Sequence, residues 1–299
     1  MRPFAGFSPL DWSSPFPGPI LFAPETTSTM DAAAELVAAS GAEDGTLLMT
    51  DHQTRGRGRR ADRVWTDAPG ASLLCTLLLK SLRLKSVSAG PDRPRGGTAA
   101  PPESAAAGSP AAALSLRVGV VVAETVEALT TLSPEIKWPN DLLLDGKKVC
   151  GILITQGRGW VQIGLGLNIR GGALAPGVAG SATSLADELP AGAVVPSRRD
   201  LLTELLRGLF AELDGTTGPW RERLCRRLAY RERRVTFSSP AFDAPLSGIL
   251  EGVAPDGALL FRELRRVPGS EPAPAGEERQ KDLPKRWACY DAELHPPPR

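Results

Sequence analysis

Apolar residues follow two rhythms along this chain, and the place where one gives way to the other divides it. Residues 31–40 (DAAAELVAAS) and 197–213 (SRRDLLTELLRGLFAEL) repeat apolar positions at three- and four-residue intervals, the spacing of amphipathic helices. Ser28 or Thr29 is placed to cap the first and Ser197 the second, while Gly41 stops the first. The run 113–129 (ALSLRVGVVVAETVEAL) keeps the helical spacing with few polar positions, so it predicts a largely buried helix. Strand-length apolar runs occupy 45–51 and 71–79, followed later by EIKW, DLLL, VCGILIT and WVQIGLGLNI, with DGKK as a hairpin-type turn. From about residue 229 the helical rhythm disappears and only strands follow: RRVTFSS, PLSGILEGV, GALLFREL and RWACYDAEL. The pattern predicts an α+β domain over 25–228 and a small all-β module over 229–299.

Composition changes this picture in one respect. The 299 residues include 31 glycines and 28 prolines. That is roughly a fifth of the chain, above the usual ~12% and below the ~25–30% of a low-complexity sequence. The excess gathers in 1–24, 81–112 and 265–284. Blocks poor in large apolar side chains cannot offset their ordering entropy by burial. The expectation is therefore a Pro-rich tail over 1–24 and two low-complexity insertions within otherwise patterned sequence.

Charge and cysteine content remove several functional classes. A formal net charge of +1 provides no global attraction to DNA or to a membrane surface. No stretch approaches the ~18 apolar residues of a membrane span. The N-terminus has one Arg and six prolines by Pro24, unlike a signal peptide, so a cytoplasmic location is expected. Cys75, Cys150, Cys225 and Cys289 are far apart, and with only His52 and His295 beside them no zinc site is expected; reduced thiols are.

Three constellations carry chemistry. Gln53–Arg60 (QTRGRGRR) alternates glycine with arginine after a strand, which lets backbone approach a ligand while guanidinium groups converge on it. Such a loop suits a compact phosphate or carboxylate pocket; a basic RNA- or DNA-binding loop is the alternative. Lys137-Trp138-Pro139-Asn140-Asp141 couples a strand-end lysine to a rigid turn, either a plain hairpin connection or a point charge held for phosphate. Gly164-Leu-Gly-Leu-Asn168 lacks the third glycine and following helix of a dinucleotide fingerprint; it reads as a strand open to close approach.

Together with ETTSTMD at 25–31, these pieces stand in the order and spacing of the biotin–protein ligases, which the chain resembles closely over about 22–169. The resemblance implies an α+β class II synthetase-like catalytic domain, a mixed sheet with flanking helices, and a C-terminal SH3-like β-barrel. It implies ATP and biotin as substrates, with Mg²⁺, and a biotin carboxyl carrier protein or domain as acceptor. By the same resemblance Ser28, Thr29, Met30, Gln53, Arg57, Gly58, Arg59, Lys137 and Gly151 would hold biotin. Arg57, Arg59, Arg60, Trp65, Lys137, Asn140 and Asn168 would hold ATP, with Arg59 and Lys137 catalytic. Met30 stands where the family often has Asn, and the Arg60–Trp65 stretch is about one residue longer than usual. Some members carry an N-terminal DNA-binding domain. About 24 residues precede the first motif here, so a monofunctional ligase without DNA binding, a monomer or weak homodimer, is expected. Lipoate or octanoate transferases share the fold and are the rival activity.

Overall fold

Eight strands form the main sheet of the computed structural model, which describes residues 4, 6–59, 64–66, 68–81, 110–171, 180–239, 242–267, 286–289 and 292–295. In chain order the first half runs β1 (Ser8–Leu10), β2 (Ile20–Thr26), α1 (Thr29–Ala38), β3 (Leu47–Gln53), β4 (Gly56–Arg57), β5 (Val64–Trp65) and β6 (Ser72–Lys80). There follow α2 (Pro110–Leu129), β7 (Glu135–Lys137), β8 (Asp141–Leu144), β9 (Lys147–Gly157) and β10 (Trp160–Asn168). Three further helices are α3 (Leu185–Glu188), α4 (Arg198–Asp214) and α5 (Trp220–Cys225). The sheet order is β1-β2-β3-β6-β10-β9-β8-β7, antiparallel except for the β2–β3 pair. This is the mixed sheet with flanking helices that the resemblance implies, in the α+β domain that the pattern predicts.

Alternation along the central strands divides the core into two layers. Leu47 and Met49 of β3, with Leu77 and Leu79 of β6, join the buried residues of α2 and α4. Leu48 and Leu78, one residue out of phase, pack with Ala32, Ala33 and Leu36 of α1 on the other face. Strands covered on both faces read as continuous apolar runs, and eight of the nine residues of β6 are buried. Ser197 caps α4 by accepting from the backbone N–H of Asp200 at 3.1 Å, and Gly215 ends it with a positive φ of 73°. Ser28 occupies the cap position of α1, yet its hydroxyl makes no capping bond.

Residues 6–24 do not form a loose tail. Phe7 and Phe16 are 1% and 3% exposed, β1 pairs with β2, and β2 itself begins at Ile20. A few aromatic and aliphatic anchors outweigh the prolines, of which Pro9 falls on the edge strand β1 and Pro15, Pro17 and Pro19 in the connection to β2. Pro24 lies inside β2 beyond the end of the β1 pairing at Phe22, so its missing N–H breaks no ladder with β1. Helix α2 also starts at Pro110, inside the expected 81–112 insertion, and β13 reaches Arg266, inside 265–284. Residues 82–109 and 268–284 of the two insertions lie outside the described residues.

The C-terminal strands β11 (Arg234–Ser238), β12 (Leu246–Val253), β13 (Leu259–Arg266), β14 (Arg286–Cys289) and β15 (Glu293–His295) form a sheet in the order β14-β13-β12-β11-β15. Among the described residues β14 and β15 are its edges and do not pair, so the expected SH3-like barrel is an open sheet here. Phe237 and Phe261 stack in its core with ring centroids 4.2 Å apart.

This module is keyed into the larger domain. The buried indole of Trp138 donates from Nε1 to the carbonyl of Gly257, in the turn between β12 and β13, at 2.9 Å. A Cβ on Gly257, whose φ is +92°, would lie 2.5 Å from the backbone nitrogen of Ala113 at the start of α2. Ion pairs tie the helices together below. Glu212 of α4, its side chain 3% exposed, accepts from Arg117 of α2 and from Arg223 of α5, each at 2.6 Å. Side-chain hydrogen bonds donated to Glu124 and Glu212 hold the Arg223 guanidinium above its ordinary pKa against the opposing effect of burial.

Removing one member of a buried ionic network leaves the others uncompensated, a loss of about 3–5 kcal/mol. Glu212→Ala is expected to destabilise the protein on that scale, read as a lower midpoint in urea unfolding. A midpoint equal to wild type would show that the network does not hold α2, α4 and α5.

Candidate active site

Glycines make the floor of the pocket. On the α1 face of the sheet, neighbouring strands β9 and β10 present Gly151, Gly164 and Gly166, with Gly151 directly opposite Gly166. Each is short of a side chain because something bulky lies over it. A Cβ on Gly164 would meet the Met30 sulfur at 2.5 Å, and one on Gly166 would meet the Trp65 ring at 2.8 Å. Gly151 faces both the Trp65 ring, at 3.0 Å, and the Lys148 ammonium, at 3.1 Å, from its ideal Cβ position. The open space over this floor is about 470 Å³.

One end of the pocket is polar and uncharged. Ser28 and Thr29 precede and open α1, and both are buried. Gln53 accepts through Oε1 from the Thr29 backbone N–H at 2.8 Å and from its hydroxyl at 3.2 Å. Thr76, paired with Gly164 across the β6–β10 ladder, donates to the Thr29 hydroxyl at 2.9 Å. The Ser28 hydroxyl is fully buried and has no partner among the described residues. A buried hydroxyl left unpaired costs free energy, so it marks a position for a polar ligand atom.

The other end is cationic. Two residues along β10 from Gly164, roughly 7 Å at strand rise, Lys148 stands beside Gly151 with its ammonium 5.6 Å from the Trp65 ring centroid. Asp141 of β8 pairs with it at 2.6 Å. Arg57, on the short β4–β5 hairpin, reaches back to Asp31 of α1 at 3.0 Å, and Arg59 also lines the pocket. Gly56 is required in that hairpin: a Cβ there would lie 2.8 Å from the Trp65 carbonyl. Arg60 lies outside the described residues.

A β-bulge brings Lys148 to this face. Strict alternation from Gly151 would send Lys148 and Cys150 together into the core. The β8–β9 register shifts between Leu142, opposite Cys150, and Leu143, opposite Lys148. The extra residue, Val149, reverses the phase, so Cys150 stays buried while Lys148 turns toward Gly151 and Asp141.

Of the residues singled out from sequence, Ser28, Thr29, Met30, Gln53, Arg57, Gly58, Arg59, Trp65, Asn140 and Gly151 all line this pocket. Asn140 is fixed by mutual bonds with Ile152, its Nδ2 donating to the Ile152 carbonyl at 2.9 Å. Two residues are elsewhere. Lys137 ends β7 opposite Asp141 and is not part of the lining, because the edge strand β7 stands one strand farther from the glycine floor than β8. Asn168 is 3% exposed and also outside it. Its amide joins Ser72, which donates to Oδ1 at 3.3 Å, to the Thr183 carbonyl, which accepts from Nδ2 at 2.9 Å. Lys148 is the residue that sequence reasoning missed. Its signal was a lysine at a strand position that alternation assigns to the core.

The mixed sheet, with a pocket running from buried hydroxyls to clustered cations, places the chain in the class of biotin- and lipoate-type protein ligases. The family model described as "Biotin/lipoate A/B protein ligase family" matches residues 101–168. The chain is 33% identical over 267 residues to the biotin–[acetyl-CoA-carboxylase] ligase of Paracoccus denitrificans, covering 84% of this chain and 96% of that one. It is 32% identical over 208 residues to the Mycobacterium tuberculosis protein of the same name, covering 68% and 66%. With the bifunctional ligase/repressor BirA of Bacillus subtilis it shares 34% over 148 residues, 48% of this chain and 38% of that protein. The chain thus spans from 38% to 66% of the length of the Bacillus and Mycobacterium relatives. The biotin protein ligase from Aquifex aeolicus, solved with biotin and ATP, has the same fold, with a TM-score of 0.64 at 21% identity over 84% of this chain and 96% of that one. This chain belongs to the biotin–protein ligase family.

The core face beneath the pocket carries two thiols. Burial pushes the Cys75 thiol up to about 12 and raises that of Cys150 as well, against the lowering effect of Lys148. Since the folded state resists ionising them, their contribution is complete below the ordinary thiol value near 9 and is lost as pH rises toward 12. Unfolding free energy is expected to fall between pH 9 and 11 and to fall less steeply in Cys75→Ala. Equal slopes in urea titrations across that range would contradict it.

Proposed function

We propose that this chain activates biotin with ATP and transfers the biotinyl group to a lysine of a carboxylase's biotin carrier domain. The observation that carries this reading is the polarity of the pocket. A neutral cluster (Ser28, Thr29, Gln53) and the Lys148 ammonium stand at opposite ends of a glycine floor, and the arginines Arg57 and Arg59 also line the pocket. Biotin is itself neutral and hydrogen-bonding at its ureido end, apolar in its ring and chain, and anionic at its carboxylate. The relatives named as biotin–[acetyl-CoA-carboxylase] ligases support the same substrate and acceptor.

In the first step a biotin carboxylate oxygen attacks the α-phosphorus of ATP. The new O–P bond makes the mixed anhydride, and the bond to pyrophosphate breaks. Two anions must approach, so fixed positive charge is most useful where negative charge accumulates. Lys148 is the cation best held for this, anchored by Asp141 and the Trp65 face. It takes the role that the motif lysine Lys137 is expected to have from sequence. Mg²⁺ accompanies ATP on its phosphates and needs few protein ligands. In the second step the carrier amine attacks the activated carbonyl carbon and AMP leaves. Positioning of that amine carries most of the rate, because the anhydride is already activated.

Biotin-dependent ATP–pyrophosphate exchange tests the assignment. Lys148→Gln is expected to reduce exchange at least a hundredfold, about 2.7 kcal/mol of transition-state stabilisation. Lys137→Gln should stay within a fewfold of wild type. The reverse pattern would restore Lys137 to the site. Incubation with biotin, ATP and a biotin carrier domain, scored by streptavidin blot, separates this activity from lipoate transfer.

A further inference from the structure

We propose that Thr76 is a positioning residue for the uncharged end of the pocket, holding the Thr29 hydroxyl and, through it, the Gln53 amide in place for biotin. The inference rests on the reading that this end receives the ureido group of biotin.

Strand β6 is apolar from Leu73 to Leu79 except at Thr76, which is 0% exposed. A valine of nearly the same shape would suit such a strand, and a hydroxyl there costs free energy unless it finds a partner. The partner lies on α1. Leu78, two residues along the strand and on the same face, packs with Ala33 and Leu36 in the body of that helix. Thr76 reaches the helix at its first residue, Thr29, and donates to the Thr29 hydroxyl oxygen at 2.9 Å. Its neighbour across the β6–β10 ladder is Gly164, which puts no side chain beside the bond. Thr76 itself is not part of the pocket lining, so whatever it does for a ligand it does through Thr29.

Each hydroxyl has one proton to give, and that sets the direction of the chain of bonds. Gln53 Oε1 can only accept. It takes the Thr29 backbone N–H at 2.8 Å, one of the donors that a helix start leaves open, and the Thr29 hydroxyl at 3.2 Å. With the Thr29 proton given to Gln53, the bond between the two threonines uses the proton of Thr76. The backbone N–H also fixes which end of the amide faces α1, so the two donors on Gln53 Nε2 are left for the pocket that Gln53 lines. Two bonds from one residue hold Oε1, and Thr76 secures the second of them. Without Thr76 the Thr29 hydroxyl is free to turn to another staggered position, and the amide hangs on a single bond. The Lys148 end of the pocket shares none of these bonds, so biotin binding suffers and the chemical step does not.

Biotin-dependent ATP–pyrophosphate exchange on the intact chain tests this with the isosteric variant Thr76→Val. Thr29 still donates to Gln53 in that variant, so no buried proton is orphaned, and the urea midpoint is expected to stay at or above wild type. The KM for biotin is expected to rise about tenfold, the size of one well-made hydrogen bond, with kcat and the KM for ATP within about twofold. Thr76→Ser, which keeps the hydroxyl, should restore the wild-type KM. In a Thr29→Val background Thr76→Val should have almost no further effect, because the hydroxyl it holds is gone. Four results would each overturn the proposal: a wild-type KM for biotin in Thr76→Val, a KM in Thr76→Ser as high as in Thr76→Val, losses that multiply in the double variant, or a fall in kcat with a matching rise in the KM for ATP. Absence of biotin-dependent exchange in the wild-type chain would instead overturn the functional reading on which it rests.

Discussion

The ion pair between Lys148 and Asp141 depends on a fault in the strand that carries it. An ammonium on a central strand has two possible destinations, and one of them is a hydrocarbon core where it would have to give up its charge. A single extra residue at Val149 decides between them. With that choice made, neighbouring features follow as accommodations. Asp141 lies across the ladder as counter-ion, Gly151 leaves room for the lysine stem, and the Trp65 face receives the positive charge. The pocket owes its cationic end to a backbone irregularity as much as to side-chain identity.

The opposite end obeys a different constraint. Hydroxyls and an amide buried at the start of α1 must satisfy one another or wait for a ligand. Thr29, Gln53 and Thr76 satisfy one another, while Ser28 is left with an unused hydroxyl. Between the two ends the floor has to be smooth, and smoothness in a sheet means glycine. Met30 and Trp65 then lie close against the strands, bringing two elements distant in sequence, α1 and the arginine hairpin, over the same surface.

Much of this was legible before any coordinates. Helices α1, α2 and α4, the central strands and the change to an all-β ending follow from apolar periodicity, which tertiary packing reinforces. The Arg57–Arg59 loop, Gln53 and the Ser28–Thr29 pair could be read as one site only through the family resemblance, since they lie on separate elements of the chain. Four things were hidden for physical reasons. Strand β2 contains Pro24, a residue that ordinarily argues against a strand and is harmless here because β1 has already ended. Phe7 and Phe16 anchor a segment whose composition resembles a tail, since composition counts residues and burial weighs them. Lys148 is hidden in DGKK, which reads as a hairpin turn, and the bulge that swings it from the core phase to the pocket leaves no mark in a period-two pattern. Asn168, too, reads as a polar group at a strand exit, and nothing local shows that its amide is already engaged on both sides.

The seam between Trp138 and Gly257 has a meaning for how this chain could be rebuilt. The indole two residues before Asn140 gives its proton to a carbonyl in the other half of the molecule, and that carbonyl's residue has room for no side chain. A C-terminal sheet grafted from another protein would have to bring a glycine turn of the same handedness, with its carbonyl facing the same way, or leave a buried donor unanswered one turn from the pocket. Transplants that respect only the strand count would fail at this point. The compatible donors can be recognised in advance by the turn they carry.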